Sequence, residues 1–178
     1  GDHWFGNELL ADREIIASAA AFEEMPDALP DRLVALRQMP GAIGRFASEI
    51  FGPFDWSDTN PTFPNRTFSE RLDLQVGGVD VQLFELGPAH TRGDTIAWVP
   101  STRTLFAGDL LFIGGTPIIW AGPLGNWVKA CDFMLELDPE YVVPGHGPVT
   151  TKEGIRVVRD YLTFVDSEAR QRHAAGMN

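Results

Sequence analysis

GPAHTRGDTIAWVPSTRTLFAGDLLF, Gly87 to Phe112, is the stretch from which the fold is read. Thr95 to Val99 is β-branched and aromatic, which is the composition of a strand. Pro100-Ser101-Thr102 marks a turn, and Thr104 to Ala107 reads as the next strand. His90 stands ahead of the first strand, in a turn framed by Gly87, Pro88 and Gly93. Asp109 follows Gly108, just past the expected end of the second strand. An imidazole and a carboxylate at consecutive strand ends face an open site rather than a core, and can converge on one point. Taken singly, His90 also reads as a loop histidine and Asp109 as a turn former.

Upstream, Phe68, Leu72, Leu74 and Val76 lead into Gly77-Gly78, a hairpin signal. Val79, Val81, Leu83 and Leu86 continue beyond it, with Phe84 and Glu85 breaking the alternation. Downstream, Ile113 to Gly125 is apolar but rich in Gly and Pro, so it reads as a loop. Asn126 is expected to cap a helix over Trp127 to Leu137, with Val128, Cys131, Met134 and Leu135 on its inner face. Glu140 to Val143 reads as a short strand that ends in Pro144-Gly145-His146-Gly147-Pro148, a rigid turn carrying a histidine. Thr150 and Glu153 form a capping box for a helix to about Ala174. Its stripe is Ile155, Val158, Leu162 and Val165, widened by Val157, Tyr161 and Phe164. Arg170 and Arg172 oppose the dipole at its end, where His173 reads as an exposed terminal histidine.

The chain opens with Asp2 and His3, and Trp4, Phe5, Leu9 and Leu10 then read as the inner side of a short helical segment. Glu14 to Ser18 reads as a strand. Ala19 to Met39 is helix-prone but broken at Pro26 and Pro30, with Asp31 as a cap. Ile43 to Ile50 reads as a short helix inside an otherwise irregular stretch, Pro40 to Pro64. Phe51, Phe54, Trp56 and Phe63 make the rest of that stretch an aromatic loop, either a lid or a packed connection.

A chain of 178 residues suffices for one domain with a sizeable core, and residues 1–178 are expected to form one. The net charge of −11 and the scattered arginines argue against nucleic acid or an anionic membrane as partner. Cys131 is the single cysteine, which rules out an internal disulfide and a cysteine-rich zinc site. No apolar run has the length of a membrane span. No export signal is visible, so the cytoplasm is the expected compartment, although the chain does not begin with Met and a segment upstream would change that.

GDHWFGN, PAHTRGDTIAWVPSTRTLFAGDLLF and VVPGHGPVT, in this order, resemble the metallo-β-lactamase fold superfamily of hydrolases. The resemblance implies an α/β fold, the four-layer αββα sandwich. It implies that Asp2 and His3 match the last two positions of the ligand motif His-x-His-x-Asp-His. The chain would then begin inside that motif, and the expectation is a sandwich without its N-terminal strands. By the same resemblance Asp2, His3 and His146 would ligate one metal, His90 the other, and Asp109 would bridge the two. Asp2 would also orient the attacking water or shuttle a proton. Thr91 and Asp94 would support the ligands, and Trp4, Trp56, Trp120 and Trp127 are candidates to line a substrate pocket. The implied cofactor is zinc, two ions in the complete site, with iron or manganese also suited to His and Asp ligands.

Within that superfamily, the β-lactamase branch typically carries Cys or Ser where this chain has Asp109. An Asp there resembles the branches with two similar metals: thioesterases of the glyoxalase II kind, phosphodiesterases and lactonases. The chain ends one helix beyond VVPGHGPVT, without the extra C-terminal part that glyoxalase II uses for glutathione. The expected activity is hydrolysis of a small ester, thioester or lactone. The alternatives are a phosphodiesterase or nuclease, a polyketide-type cyclase or thioesterase, and a metal-poor binding domain without catalysis. The expected partner is a small molecule, and homo-oligomerisation or strand exchange would follow if the N-terminal strands are missing.

Overall fold

The computed structural model describes residues 2–55 and 58–177, with Asp2 described by its backbone alone. Trp56 lies outside the described residues. The chain divides into two compact units, Gly1–Thr67 and Phe68–Asn178.

In the first unit a 3-10 segment, Asp2–Leu10, precedes β1 (Ile16–Ser18) and α1 (Ala19–Glu24). Ser18 caps α1, its Oγ accepting from Ala21 N at 3.2 Å. A 3-10 turn at Met25–Asp27, α2 (Pro30–Arg37), α3 (Gly41–Phe51) and β2 (Arg66–Phe68) follow, and β1 pairs with β2. Pro30 takes the first helical position of α2 and Leu29 the cap, so Asp31 is not the cap; it sits in the first turn, where its charge suits the dipole. Trp4, Phe5 and Met25 form a small core with Ala17, Leu29 and Leu33 packed on it. Leu9 and Leu10 are exposed, contrary to the sequence reading. Polar ties turn them outward: Asn7 Nδ2 donates to Thr62 O, and Glu8 accepts from Asn60 N and Nδ2, all at 3.0 Å.

The second unit holds a five-stranded sheet in the order β3 (Arg71–Val76), β4 (Val79–Glu85), β5 (Thr95–Val99), β6 (Thr104–Phe112), β7 (Tyr141–His146). All neighbours are antiparallel except β6 and β7, whose parallel pairing requires the crossover through α4 (Leu124–Glu136). Gly77 and Gly78 both take positive φ, +59° and +83°, as a two-residue hairpin with right-handed strand twist demands.

Two strands run further than the sequence suggests. β6 continues through Gly108 and Asp109 to Phe112, and β7 continues to His146. The register explains how. Gly108 pairs with Pro144 and Phe112 with His146, so β6 advances further than β7 over the same span and must bulge. Gly108 bends the strand at φ +53°. Asp109 therefore sits in a bulge inside a strand, not past its end.

α4 begins at Leu124 because Pro123 occupies the cap position, so Asn126 is already in the first turn, with its N–H on Pro123 O at 2.9 Å. Its buried face is Trp127, Ala130, Cys131 and Met134. The Cys131 thiol is pushed up to about 12, by burial first and then by Asp132, so it remains a neutral core group. α5 (Lys152–Ala174) ends as expected but starts differently. Thr150 exchanges backbone hydrogen bonds with Val142 (2.8 and 2.9 Å), so the cap passes to Thr151, whose Oγ1 accepts from Glu153 N at 3.3 Å. Ile155, Val158 and Leu162 are buried, whereas Val157, Tyr161 and Phe164 are exposed and do not widen the inner stripe.

Together with Ile96, Leu105, Leu110, Leu111 and Val142, the inner faces of α4 and α5 make the core of this unit. Replacing Thr151 with Ala is expected to cost about 1 kcal/mol, against about 2–5 kcal/mol for Leu162→Ala in the core. Urea unfolding of the two variants checks the order; equal losses would mean that Thr151 does more than cap. Among the described residues no helix is long and apolar enough to cross a membrane.

Candidate metal centre

His90 is carried by a tight loop between β4 and β5. Leu86 N and Gly87 N both donate to Asp94 O, at 2.8 and 3.2 Å, which closes the loop at its base. Gly87 is required by space: a Cβ there would meet Arg92 O at 2.2 Å. The Asp94 carboxylate accepts from Thr91 N at 3.1 and 3.0 Å and from Thr91 Oγ1 at 2.7 Å. It is buried, and burial raises its pKa against the opposing effect of the Thr91 hydrogen bonds. Asp94 is thus the clasp of the loop that presents His90.

The His90 ring is itself buried. Its Nδ1 lies 2.6 Å from Ile118 O, and a carbonyl can only accept, so Nδ1 carries the proton. Nε2 faces Asp109 Oδ2 at 3.4 Å. The other oxygen, Oδ1, faces His146 Nε2 at 3.3 Å. One carboxylate, 11% exposed, therefore spans two imidazoles, of which His146 is the open one at 54%. Gly145 permits this approach, since a Cβ there would stand 2.3 Å from Asp109 Oδ1.

The charge balance of the triad is informative. With Nδ1 donating to Ile118, a neutral His90 would aim the lone pair of Nε2 at a carboxylate oxygen. Burial lowers the affinity of His90 for a second proton, but the Asp109 side chain and the Ile118 carbonyl outweigh it and the pKa is raised. The space between Nε2 and Oδ2 thus calls for a positive charge, a proton or a cation. Among the described residues no three His, Cys, Asp or Glu side chains stand at coordination spacing. In this triad the carboxylate oxygens stand 3.4 and 3.3 Å from the two Nε2 atoms, the spacing of ion pairs rather than of short hydrogen bonds. The donor chemistry fits a borderline ion such as zinc: two imidazole nitrogens, one of them with its tautomer set by a carbonyl, and a carboxylate able to bridge.

Of the residues singled out in the sequence, His90, Asp109 and His146 come together, with Thr91 and Asp94 in support. Asp2 and His3 belong to the 3-10 segment of the first unit; His3 is exposed and the side chain of Asp2 is outside the described residues. Trp4, expected at a pocket, is packed in the small core against Phe5 and Phe63, with centroids at 5.3 and 5.2 Å. Trp127 is core as well, its Nε1 donating to Leu110 O at 2.9 Å. Trp120 is 71% exposed, on a loop whose backbone is bound to the His90 segment. Trp120 N and Ala121 N donate to His90 O at 2.9 and 3.1 Å, and Gly122 N donates to Ala89 O at 2.9 Å. Sequence reasoning missed Ile118 and Phe112. Ile118 acts through its carbonyl, which leaves no trace in residue type. Phe112 reads as an ordinary core residue, and only its register partner reveals its position beside His146.

A family model described as the metallo-beta-lactamase superfamily matches residues 1–146. The alpha subunit of 2,4-dinitroanisole O-demethylase from a Nocardioides species is 33% identical over 87 residues, covering 46% of this chain and 25% of that one. Metallo-beta-lactamase type 2 from Bacteroides fragilis is 30% identical over 113 residues, covering 56% of this chain and 43% of the relative. The chain thus spans less than half the length of either of these curated relatives. Among solved structures, VMB-1 superposes with a TM-score of 0.59 at 16% identity, over 90% of this chain and 60% of that one, a likeness of fold.

Proposed function

Because this chain belongs to the metallo-beta-lactamase superfamily, we propose that it is a metal-dependent hydrolase of a small ester, thioester or lactone, with His90, Asp109 and His146 among the ligands of a zinc-type dinuclear centre. One observation carries the reading: a single carboxylate, largely shielded from solvent, presents one oxygen to each of two histidine Nε2 atoms. That is the arrangement a bridging ligand between two ions needs. By the family motif, Asp2 and His3 would join His146 as ligands of one ion, and Asp2 is the candidate to orient the attacking water.

When bound, the ions supply a water acidic enough to ionise near neutral pH and polarise the carbonyl under attack. The chain's own residues do the positioning. Ile118 O holds the Nδ1 proton of His90 and so keeps Nε2 free as a donor to metal. Asp94 holds the loop in shape through Thr91. The exposed Ile118, Ile119 and Trp120 offer an apolar rim suited to a weakly charged substrate.

The test is metal analysis of the purified protein together with a substrate panel, before and after chelation. The panel holds an aryl ester, a thioester, a lactone, a phosphodiester and, prompted by the Nocardioides relative, 2,4-dinitroanisole. Bound zinc, iron or manganese with chelator-sensitive turnover of an ester, thioester or lactone is the expected result. Turnover confined to the phosphodiester or the aryl ether would replace the substrate class. Neither metal nor turnover would make this a binding domain.

A further inference from the structure

The two imidazoles of the centre are held in different ways. His90 is buried and has its Nδ1 proton on Ile118 O. His146 is half open, lies between Gly145 and Gly147, and makes no hydrogen bond through Nδ1 among the described residues. A histidine so placed would sample several rotamers, and the cost of fixing it would fall on the ligand it binds. Asp109 meets its Nε2 edge at 3.3 Å, which leaves the plane of the ring to be set by another contact.

We propose that Phe112 is a positioning residue for the metal centre, holding His146 by face-to-face stacking and backing His90 with the same ring. The two rings are 4.4 Å apart at their centroids and 15° from parallel. The backbone makes the pair: Phe112 and His146 are register partners across β6 and β7, and Ile113 N donates to His146 O at 2.8 Å. The Phe112 ring also meets the His90 ring, at 5.6 Å and 52°. It is itself buried in the core shared by β6, α4 and α5, so it is a fixed wall rather than a mobile partner. Asp109 joins the imidazoles at their Nε2 edges, and Phe112 sets their planes. The stack with His146 is stabilising for a neutral imidazole through dispersion and more so for a charged or metal-bound one. This role rests on the metal-centre reading above, but the stack itself can be tested without metal.

The experiment compares the full chain with Phe112→Leu and Phe112→Tyr. In chelator-treated protein the ring current of Phe112 should hold the carbon-bound His146 protons upfield in the NMR spectrum. Phe112→Leu should move them downfield while the Trp127 indole signal, a reporter of the core, stays in place. Metal affinity by chelator competition should fall about tenfold or more in Phe112→Leu, the scale on which outer partners of ligands act. Phe112→Tyr, which keeps the ring, should restore both. If Phe112→Leu does not fold, Phe112→Met, which fills the space without a flat ring, takes its place and should give the same two losses. Unmoved His146 signals in a folded variant would overturn the stack. Moved signals with unchanged metal affinity would overturn the positioning role. A wild-type chain that takes up no metal, yet shows the upfield signals, would sink the hydrolase reading and the role at the centre while leaving the contact in place.

Discussion

Replacing Asp109 with alanine should strip the protein of bound metal and of hydrolysis together. The carboxylate meets both imidazoles at their Nε2 edges, at 3.4 and 3.3 Å. Without it the two histidines share no anion, and a centre built between them loses its bridge. The loss should exceed the 10–100-fold that residues supporting a ligand typically carry. Metal analysis and turnover on the best substrate of the panel measure it. Retention of both would show that Asp109 bridges nothing.

The same substitution has a signature in the metal-free protein. Asp109 helps to raise the pKa of His90, so His90 binds its proton more tightly folded than unfolded. A raised folded-state pKa contributes stability that is fully present below the ordinary value of 6.5 and is lost as pH rises through the folded value. Wild type should therefore gain on Asp109→Ala as pH falls from alkaline to mildly acidic. Thermal unfolding of both chelated proteins at two pH values reads the gap, and a gap that widens toward alkaline pH would contradict this sign.

The second large effect is expected at Gly145. Its φ is ordinary, so the constraint is space and not conformation. A Cβ there would lie 2.3 Å from Asp109 Oδ1 and 2.6 Å from both the carbonyl carbon and the oxygen of Gly108. Two of these atoms are backbone and cannot rotate away. Gly145→Ala must part β7 from the β6 bulge or push the Asp109 carboxylate off its histidines. Overpacking of this kind costs about 1–3 kcal/mol. Metal uptake should fall with it, because the displaced atom is the one facing His146. Urea unfolding and metal analysis decide the matter. A variant with wild-type stability and metal content would show that the end of β7 is free to shift.

Much of this was legible in the sequence, for local reasons. Gly77-Gly78 marks its hairpin because only a residue without Cβ takes positive φ freely. The limits of β5 and the turn after it follow from β-branched residues giving way to Pro100. What could not be read depends on a second segment. Read from one segment, Asp109 falls beyond a strand end; only β7 beside β6 puts it in a bulge, since a bulge belongs to a pair of strands. Thr150 looks like the better cap until Val142 takes its backbone groups. Helical periodicity groups Val157, Tyr161 and Phe164 with one another but does not say which face of α5 is covered. Asp2 and His3 rest on family resemblance alone, because no local chemistry separates them from any other polar pair.

The loop that follows β6 is fastened to the His90 segment through Ile118 O, Trp120 N, Ala121 N and Gly122 N. On the loop side every one of these is a main-chain atom. Exchanging Ile118, Ile119 or Trp120 for another non-proline residue leaves each donor and acceptor where it was. The rim can therefore drift in sequence while the histidine behind it keeps its tautomer and its aim. Freedom of the side chains and constancy of the His90 geometry are separated here by the difference between side chain and backbone.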